Sequence, residues 1–377
     1  MFKKFVLSVI FFSIPATAFA NASNYDISVS SFVPINSNEL QDHFIPFNLP
    51  YGVAYSDGYV FVADTFNNLI RKIDPMSQVH TVAGHITYFD LHGFPLGSFY
   101  DGQLNEATFN RPFGIAIGNQ GIFVSDSGNN SIRIIENDTV TTFFHQEHYG
   151  LNFPTGIAIN RDGYLFVADT NNHVIRRISP AGQITTIAGT FGYLGYANGY
   201  QAVFNSPMGL VLCPLEYYLF VADTGNNTIR FIHLPTGYVA TLAGRVILPS
   251  EVYYWHIYDD EYYWEDMDDM PLGDFIDGYG YEAMFNLPIG LALYDEYTLL
   301  VADSGNHAIR SINLTEGMLV TTIAGTGIAG YHDGEAYQSV LHFPTNLATG
   351  TYGVFVTDTW NNMLRIFTKG NVAKSQS

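Results

Sequence analysis

The 377-residue chain has little charge and almost no basic character. Charged residues make up 13% of it, and 15 Lys and Arg face 35 Asp and Glu. The resulting net charge of −20 repels phosphate backbones and anionic lipid, so neither nucleic acid nor a membrane surface is expected as a partner. Cys213 is the only cysteine, which excludes an intrachain disulfide. Because Cys213 ends an apolar stretch, we interpret it as a buried, unreactive thiol.

Long hydrophobic runs are also missing beyond the N-terminus. There, Lys3 and Lys4 precede a mainly apolar run from Phe5 to Phe12, and Ala18-Phe19-Ala20 has the small-x-small pattern of a cleavage site. This order predicts a signal peptide over residues 1–20, cleaved after Ala20, and hence a secreted or periplasmic protein. The run is shorter than the roughly 20 residues of a membrane-spanning helix, so no membrane insertion is expected after its removal.

What the chain does contain is a motif repeated six times. Each copy has an Asp, then Thr or Ser, an Asn three residues after the Asp, Asn or His four after, and Arg seven after. The copies are anchored by Asp64 and Arg71, Asp126 and Arg133, Asp169 and Arg176, Asp223 and Arg230, Asp303 and Arg310, and Asp358 and Arg365. The intervals between copies vary, which indicates constant units joined by variable loops.

Each unit offers four short β-rich segments. A second motif that starts with Pro precedes the Asp motif, and a fourth segment follows the Arg in five units. The prolines are Pro50, Pro112, Pro154, Pro207, Pro288 and Pro344. Proline is tolerated at the first residue of a strand. Four strands per repeat, arranged radially, form a propeller blade. The sequence therefore predicts an all-β, six-bladed β-propeller of four-stranded antiparallel blades.

These motifs closely resemble the NHL repeat family. The resemblance covers nearly the whole chain after the signal peptide, and it too implies a six-bladed propeller. The family includes a zinc-dependent amidating lyase with several histidine ligands at the mouth of its channel. No matching histidines can be assigned in this sequence, so the resemblance does not extend to that activity.

Closure of the ring can be predicted separately. The last unit lacks a clear fourth strand, whereas Asp26 to Val33, before the first unit, alternates as a strand does. We predict that this N-terminal strand completes the last blade and protects both chain ends. Residues 21–370 would then form one propeller, followed by a polar tail over residues 371–377.

The repeated polar residues are interpreted as structural, because Asp and Asn stabilise tight turns and the Arg can brace them. Binding is expected on the face where the linkers between blades lie, since ligand sites concentrate on such loops. The residue after each motif proline should lie at that mouth of the channel. These candidates are Tyr51, Phe113, Thr155, Met208, Ile289 and Thr345. They include no carboxylate or histidine, which favours binding over hydrolysis.

The segment Glu251 to Leu272 departs most from the repeat. Residues 251–270 hold eight acids, seven Tyr or Trp and no Lys or Arg. Three interpretations remain open: calcium binding, contact with a glycan or protein, and a solvated loop packed on the propeller. The candidate calcium ligands are Asp259, Asp260, Glu261, Glu265, Asp266, Asp268 and Asp269. The candidate contact residues are Tyr254, Trp255, Tyr263 and Trp264.

Two weaker motifs lie in the linkers. Four linkers carry Asp-Gly or Asn-Gly, at Asp101, Asn198, Asp277 and Asp333, which we interpret as turns rather than calcium sites. His145 and His148 form an HxxH pair without a further metal ligand. The sequence thus favours a binding or interaction module for protein or glycan, with calcium as the one cofactor to consider. The alternative is a metal-dependent lyase or lactone-type hydrolase with its site at the channel mouth.

Overall fold

Six antiparallel sheets follow one another along the chain, each begun by one motif proline or the residues just after it. The computed structural model describes residues 27–32, 47–145, 150–246, 273–315 and 317–369. The signal peptide, the segment 251–272, His148 and the tail over residues 371–377 lie outside the described residues. No helix in the described ranges is both long and apolar enough to cross a bilayer.

The first half of the chain forms the N-terminal strand, three blades and the linker strands between the first two blades. The N-terminal strand is β1 (Ile27–Ser31). Blade 1 consists of β2 (Val53–Ser56), β3 (Tyr59–Asp64), β4 (Leu69–Ile73) and β5 (Val79–Ala83). The linker then forms β6 (Tyr88–Phe89), β7 (Pro95–Leu96) and β8 (Gly102–Gln103). Blade 2 consists of β9 (Pro112–Gly118), β10 (Gly121–Asp126), β11 (Ser131–Glu136) and β12 (Thr139–Phe144). Blade 3 consists of β13 (Pro154–Ile159), β14 (Leu165–Asp169), β15 (Val174–Ile178) and β16 (Ile184–Ala188).

The second half repeats this arrangement. Blade 4 consists of β17 (Pro207–Leu212), β18 (Tyr218–Asp223), β19 (Thr228–His233) and β20 (Tyr238–Ala243). After linker strand β21 (Gly278–Tyr279), blade 5 consists of β22 (Pro288–Asp295), β23 (Thr298–Asp303), β24 (Ala308–Asn313) and β25 (Leu319–Ala324). After β26 (Gly334–Glu335), blade 6 contains β27 (Pro344–Gly350), β28 (Gly353–Asp358) and β29 (Met363–Lys369). This confirms the predicted six-bladed β-propeller.

The N-terminal strand completes blade 6, as predicted. β1 pairs antiparallel with β29, from Ile27 opposite Lys369 to Ser31 opposite Arg365. Val29 is only 2% exposed and packs in the same apolar cluster as Phe367. A strand from the N-terminus therefore forms the fourth strand of the C-terminal blade, and the ring is closed by hydrogen bonds between the two ends of the chain.

Hydroxyl groups link each blade to the next. The Thr or Ser that follows each motif Asp is buried, and it donates a hydrogen bond to the carbonyl of the next blade's motif proline. These donors are Thr65, Ser127, Thr170, Thr224, Ser304 and Thr359, at donor–acceptor distances of 2.5–2.9 Å. The last of them, Thr359, donates to Pro50 of blade 1 and so closes the ring of contacts.

Glycine allows the inner strands to approach one another closely. A side chain at Gly52 would place its Cβ 2.1 Å from the carbonyl oxygen of Phe113, and one at Gly209 would place it 1.9 Å from that of Ile289. Both distances are impossible for real Cβ atoms, so the position two residues after the motif proline must be glycine where the strands pack this closely. Asn346 stands at this position in blade 6, where Thr357 replaces the usual alanine of the Asp motif.

The turn between the second and third strands explains the remaining motif positions. A short 3₁₀ turn follows each Asp and ends at the fourth residue, which has φ between 51 and 57°. Asn tolerates this left-handed conformation better than most residues. In blade 1, the Asn68 side chain also accepts a hydrogen bond from the backbone N–H of Arg111 at 2.7 Å. The turns and the linkers between blades therefore share one face of the ring, here called the linker face.

Candidate functional site

Each motif Asp is the centre of a buried hydrogen-bond network. In blade 2, Oδ1 of Asp126 accepts from the backbone N–H of Asn110 at 2.7 Å. Oδ2 accepts from the Asn129 amide at 2.9 Å and from the Arg133 guanidinium at 2.8 Å. The other five blades repeat the contacts with the backbone N–H and the Asn amide, and in blade 6 the backbone donor is His342. The Asp–Arg contact follows at 2.6–2.8 Å in blades 2, 4, 5 and 6. The carboxylates are fully buried, so they cannot touch a ligand on the surface.

Burial and hydrogen bonding act on these carboxyl groups in opposite directions. Burial raises the pKa of Asp126 to about 6, whereas the contacts with Asn129, Asn110 and Arg133 lower it. The pKa values of Asp64, Asp169, Asp223 and Asp303 are likewise raised to about 6 by burial, and that of Asp358 is raised for the same reason. Six similar buried environments indicate a scaffold role rather than a single reactive group.

The Asp-Gly and Asn-Gly residues of the linkers serve as second partners of the motif arginines. Asp277 accepts from Arg310 at 2.8 Å, and Asn198 accepts from Arg230 at 2.8 Å. Asp101 and Asp333 contact Arg133 and Arg365 in the same way. These contacts attach each linker to the blade that follows it, which agrees with the structural interpretation of the motif.

Aromatic rings sandwich the same arginines. The Arg133 guanidinium lies 4.8 Å from the Phe99 ring centroid and 5.2 Å from that of Phe109. Arg230 lies between Tyr196 and Phe204, and Arg310 lies between Phe275 and Phe285. The first ring of each pair was not predicted from the sequence. The sequence marks this ring as the aromatic residue two positions before Asp-Gly or Asn-Gly. In blade 6 the same position is Tyr331, whose ring lies over Arg365.

The two histidines that replace the fourth-position Asn have structural partners. Nδ1 of His173 accepts from the backbone N–H of Ser206 at 3.0 Å, and Nδ1 of His307 accepts from that of Phe343 at 3.1 Å. Burial, with a contribution from nearby His342, lowers the pKa of His307. Both rings therefore take over the acceptor role of the Asn side chain. Nδ1 of His145 and the Ser131 hydroxyl share a hydrogen bond with 2.8 Å between the two atoms, and the His145 ring packs beside Phe99.

The residues after the motif prolines lie in two environments. Tyr51 and Met208 are partly exposed, whereas the other four candidates are buried. Thr155 bonds to the Thr170 hydroxyl at 2.7 Å, and Thr345 bonds to that of Thr359 at 2.6 Å. Tyr51 stacks on Phe113 with ring centroids 4.2 Å apart. The same two hydroxyls also donate across to the next blade, Thr155 to the Met208 carbonyl and Thr345 to the Tyr51 carbonyl, at 3.1 Å each. The four buried candidates therefore present little surface to solvent.

In the part of the chain that the structure describes, the largest group of exposed apolar side chains lies on the linker between blades 1 and 2. We call Tyr88, Phe89, Leu91, Phe94 and Leu96 the hairpin cluster, since they lie on β6, β7 and the turn between them. All five are more than half exposed, and Leu91 is fully exposed at 102%. The one acid of the hairpin, Asp90, accepts hydrogen bonds from the backbone N–H groups of His92 and Phe94 at 2.8 Å each. Its charge is therefore directed into the turn.

Further aromatic side chains are exposed on the other linkers. They are Tyr193, Tyr200, Tyr281 and Tyr337. Neither these residues nor the hairpin cluster were predicted, because the candidates from the sequence lay in the repeats and in the segment 251–272. Tyr254, Trp255, Tyr263, Trp264 and the candidate calcium ligands of that segment lie outside the described residues. The pattern Tyr-Phe-x-Leu-x-x-Phe-x-Leu in residues 88–96 was the available signal.

A cleft of about 490 Å³ lies on the opposite face, between the first hairpins of blades 2, 3 and 4. Arg161 and Glu216 lie on its rim, where the Arg161 backbone N–H donates to Glu216 at 3.0 Å. Cys213 also lines this cleft and is partly exposed, contrary to the expectation of a buried thiol, because it lies at the end of β17 where the chain turns. Within the described ranges, no three His, Cys, Asp or Glu side chains come together as a metal site would require.

The comparisons with known proteins agree with this fold. The NHL repeat profile matches residues 151–178, the first three strands of blade 3. The chain is 29% identical over 328 residues to NHL repeat-containing protein 2 of Gallus gallus, covering 85% of this chain and 39% of that protein. It is 29% identical over 289 residues to Protein SUPPRESSOR OF QUENCHING 1, chloroplastic, of Arabidopsis thaliana, covering 71% and 26%. The chain thus spans well under half the length of these relatives.

Solved structures add evidence for the fold alone. An auxiliary nutrient binding protein from Bacteroides thetaiotaomicron superposes with a TM-score of 0.63 at 15% identity, covering 91% of this chain and 76% of that one. A streptogramin B lyase superposes with a TM-score of 0.54 at 14% identity, covering 92% and 100%. The fold and the repeated site define a six-bladed β-propeller built on one polar scaffold motif. Its third blade matches the NHL repeat, and the same motif recurs in the other five blades.

Proposed function

We propose that this propeller is a binding module that takes a protein partner on its linker face. The observation that carries the proposal is the hairpin cluster. Tyr88 and Leu96 are paired across the hairpin, so these two exposed apolar side chains are neighbours, and neighbouring exposed apolar side chains mark interaction sites on monomeric proteins. Large apolar and aromatic side chains also dominate the binding energy of protein interfaces.

The charge around the hairpin cluster defines the partner further. Residues 85–100 contain no Lys or Arg, and their one acid is held in the turn. The chain as a whole carries a net charge of −20. A suitable partner therefore offers an apolar pocket for Leu91 and Phe94 with neutral or basic surroundings, because an acidic rim would be repelled. A glycan would be expected to use the exposed linker tyrosines instead.

We also propose that this binding takes place outside the cytoplasm, on the basis of the predicted signal peptide. The test is the N-terminal sequence of the protein recovered from the periplasm or the medium of an expressing cell. A chain that begins near Asn21 supports export, and an intact Met1 in the cytoplasm contradicts it. A stoichiometric transition metal in the purified protein would instead favour the metal-dependent enzyme alternative.

The binding proposal is tested with the double variant Leu91→Ser/Phe94→Ser. The matched control is Met76→Ser/Leu215→Ser, which removes two other highly exposed apolar side chains outside the linker that carries the hairpin cluster. Partners of each protein are crosslinked in the native extracellular fraction and quantified by mass spectrometry. We expect a protein captured by the wild type and the control to be lost at least about tenfold with the hairpin variant, while all three melt within about 2 °C. Equal capture by the two variants would contradict a site on the hairpin cluster.

A further inference from the structure

Four blades carry an additional strand that the preceding linker lays along their outer edge. In blade 2, β8 pairs with β12, and in blade 5, β21 pairs with β25. In blade 6, β26 pairs with β1, and in blade 4 a single bridge joins Gly199 to Val239. Each added segment begins with the Asp-Gly or Asn-Gly pair. The outer edge of a blade is therefore a surface that this fold uses to bind an extended, acid-containing segment.

The added segments make similar contacts in the four blades, with Ser31 as the donor in blade 6 and a hydroxyl contact of 3.3 Å from Thr241 to Asn198 in blade 4. In blade 2, the backbone N–H and the hydroxyl of Thr142 both donate to the Asp101 carboxylate at 3.0 Å. In blade 5, Thr322 makes the same two contacts with Asp277, also at 3.0 Å. The glycine that follows then starts the antiparallel pairing. A threonine or serine on the outer strand thus recognises the Asp or Asn side-chain oxygen, and the strand edge recognises the backbone.

Blade 3 cannot obtain this segment from its own linker. Three positions before each motif proline lies a buried apolar residue. In blades 2, 5 and 6, the linker Asp lies eight residues before that apolar residue, as Asp101 does before Phe109. In blade 3 that apolar residue is Leu151, and eight residues earlier lies Phe143, which is already part of β12. Only residues 145–150 separate β12 from Leu151, whereas residues 325–332 separate β25 from Asp333 in blade 6. The linker is therefore too short.

The outer edge of blade 3 differs in exposure accordingly. The apolar residue that the added segment covers is at most 2% exposed in the four blades that have the segment. These residues are Val29, Val140, Val239 and Val320. The corresponding residue of β16, Ile184, is only partly buried, and Thr185 and Thr186 are exposed. Among the described residues, β16 has no strand on its outer side.

The charge of this edge suits an acidic segment. On β15, next to β16, Arg177 is exposed and supplies a positive charge, whereas Arg176 is buried and lies 3.8 Å from the Asp169 carboxylate. Arg176 donates to the Thr186 hydroxyl at 2.9 Å, so the hydroxyl proton of Thr186 can point outward to a further acceptor. Thr186 has the place in blade 3 that Thr142 has in blade 2, since each is paired with the motif arginine.

We propose that the outer edge of blade 3 binds an extended peptide segment of a partner protein, by adding it as a fifth strand. The segment contains Asp-Gly or Asn-Gly, as the chain's own linkers do. Its acid or amide oxygen accepts from the Thr186 backbone N–H and hydroxyl, and its next residues pair with Ile184. Main-chain bonds supply the affinity and the carboxylate supplies the register, as in other cases of strand addition. The hairpin cluster takes no part, so this site is independent of the proposed function.

The probe is a synthetic peptide that copies residues 98–107, which include Asp101 and Gly102. A fluorescent form is titrated with the full-length protein up to millimolar concentration, and hydrogen exchange of segment 182–188 is followed by mass spectrometry. We expect saturable binding and slower exchange of that segment when the peptide is present. No binding at millimolar protein would overturn the proposal.

Two variants locate the binding. Thr186→Pro removes an N–H that points away from the ladder, so the sheet itself should tolerate it. Its matched control is Thr185→Val, which changes the neighbouring exposed threonine. We expect Thr186→Pro to weaken binding at least about tenfold and Thr185→Val to change it less than about twofold, since a charge-assisted hydrogen bond is lost only in the first. Equal binding by wild type and Thr186→Pro would overturn the site.

The peptide itself provides a check that does not depend on the folding of a variant. A second peptide has alanine in place of the aspartate that copies Asp101. We expect it to bind wild-type protein at least about tenfold more weakly, because the carboxylate contact is absent. If the two peptides bind equally, the edge does not recognise the acid and the proposal is wrong.

Discussion

A covalent link between β1 and β29 should stabilise the propeller strongly. Ser28 and Thr368 are directly opposite each other across the two strands, and their hydroxyl oxygens are 3.1 Å apart. Replacing both with cysteine places two thiols on neighbouring positions of paired strands. The variant is Ser28→Cys/Thr368→Cys in a Cys213→Ser background, so that no third thiol competes. We expect the disulfide to form on air oxidation, because the N-terminal strand already holds the pair together.

The size of the effect follows from the separation of the two positions, which is 340 residues. Closing a loop of that length removes about 6 kcal/mol of conformational freedom from the unfolded chain, in the entropy model of disulfide stabilisation. Unfolding a chain of this size releases roughly 0.7 kcal/mol per kelvin of entropy. The melting temperature should therefore rise by up to about 8 °C, and a rise of half that is still clear.

Calorimetry of the oxidised and reduced forms of the same variant gives the comparison, since the two differ only in the bond. The reasoning is refuted if the two thiols stay reduced in the folded protein while they oxidise readily in denaturant. It is also refuted if oxidation leaves the melting temperature unchanged, because the ring would then open elsewhere first.

Three further predictions concern the scaffold. Asp101→Ala should lower the free energy of unfolding by about 1–3 kcal/mol in urea titrations. Asp101→Asn should lower it by well under half as much, because Asn198 makes the same contact with the motif arginine in blade 4. Equal losses would contradict a stabilising contact between Asp101 and Arg133. Thr224→Val should cost about 1–2 kcal/mol in the same assay, through loss of the bond to the next blade's proline carbonyl; a neutral result would contradict the hydroxyl ring. At constant ionic strength, the melting temperature should rise as the pH falls from 8 to 5. The buried motif carboxyls have pKa values of about 6 when folded against 3.8 as the ordinary value, so the folded state binds protons more tightly. A melting temperature that is highest at pH 8 would contradict this.

The exported, partner-binding protein that we propose combines a rigid ring with variable linkers. The six motifs occupy the ring, and each of their side chains has a partner inside it. Exposed apolar side chains are concentrated on the linkers, where length and sequence differ from blade to blade. Variation in the linkers therefore leaves the blade cores unchanged, which is why binding sites are found on loops held by a scaffold.

The sequence alone determined the number of blades, their strand order and the closure by β1. These follow from local sequence patterns: a repeated motif, alternation along short strands, and a last repeat without a fourth strand, which a segment near the N-terminus can supply. The structural interpretation of Asp and Arg also followed from repetition, since six equal sites argue against one special site.

Only the tertiary structure decided which repeated residues bind across blades and which surfaces remain open. The hydroxyl of Thr65 meets the Pro112 carbonyl 47 positions away, and no local pattern contains that contact. The burial of Thr155 and the exposure of Leu91 likewise depend on neighbours that are distant in sequence. Both the sequence and the structure were needed to find the open edge of blade 3. The sequence gives the length of the linker, but only a comparison of the blades in space shows that β16 lacks a strand on its outer side among the described residues.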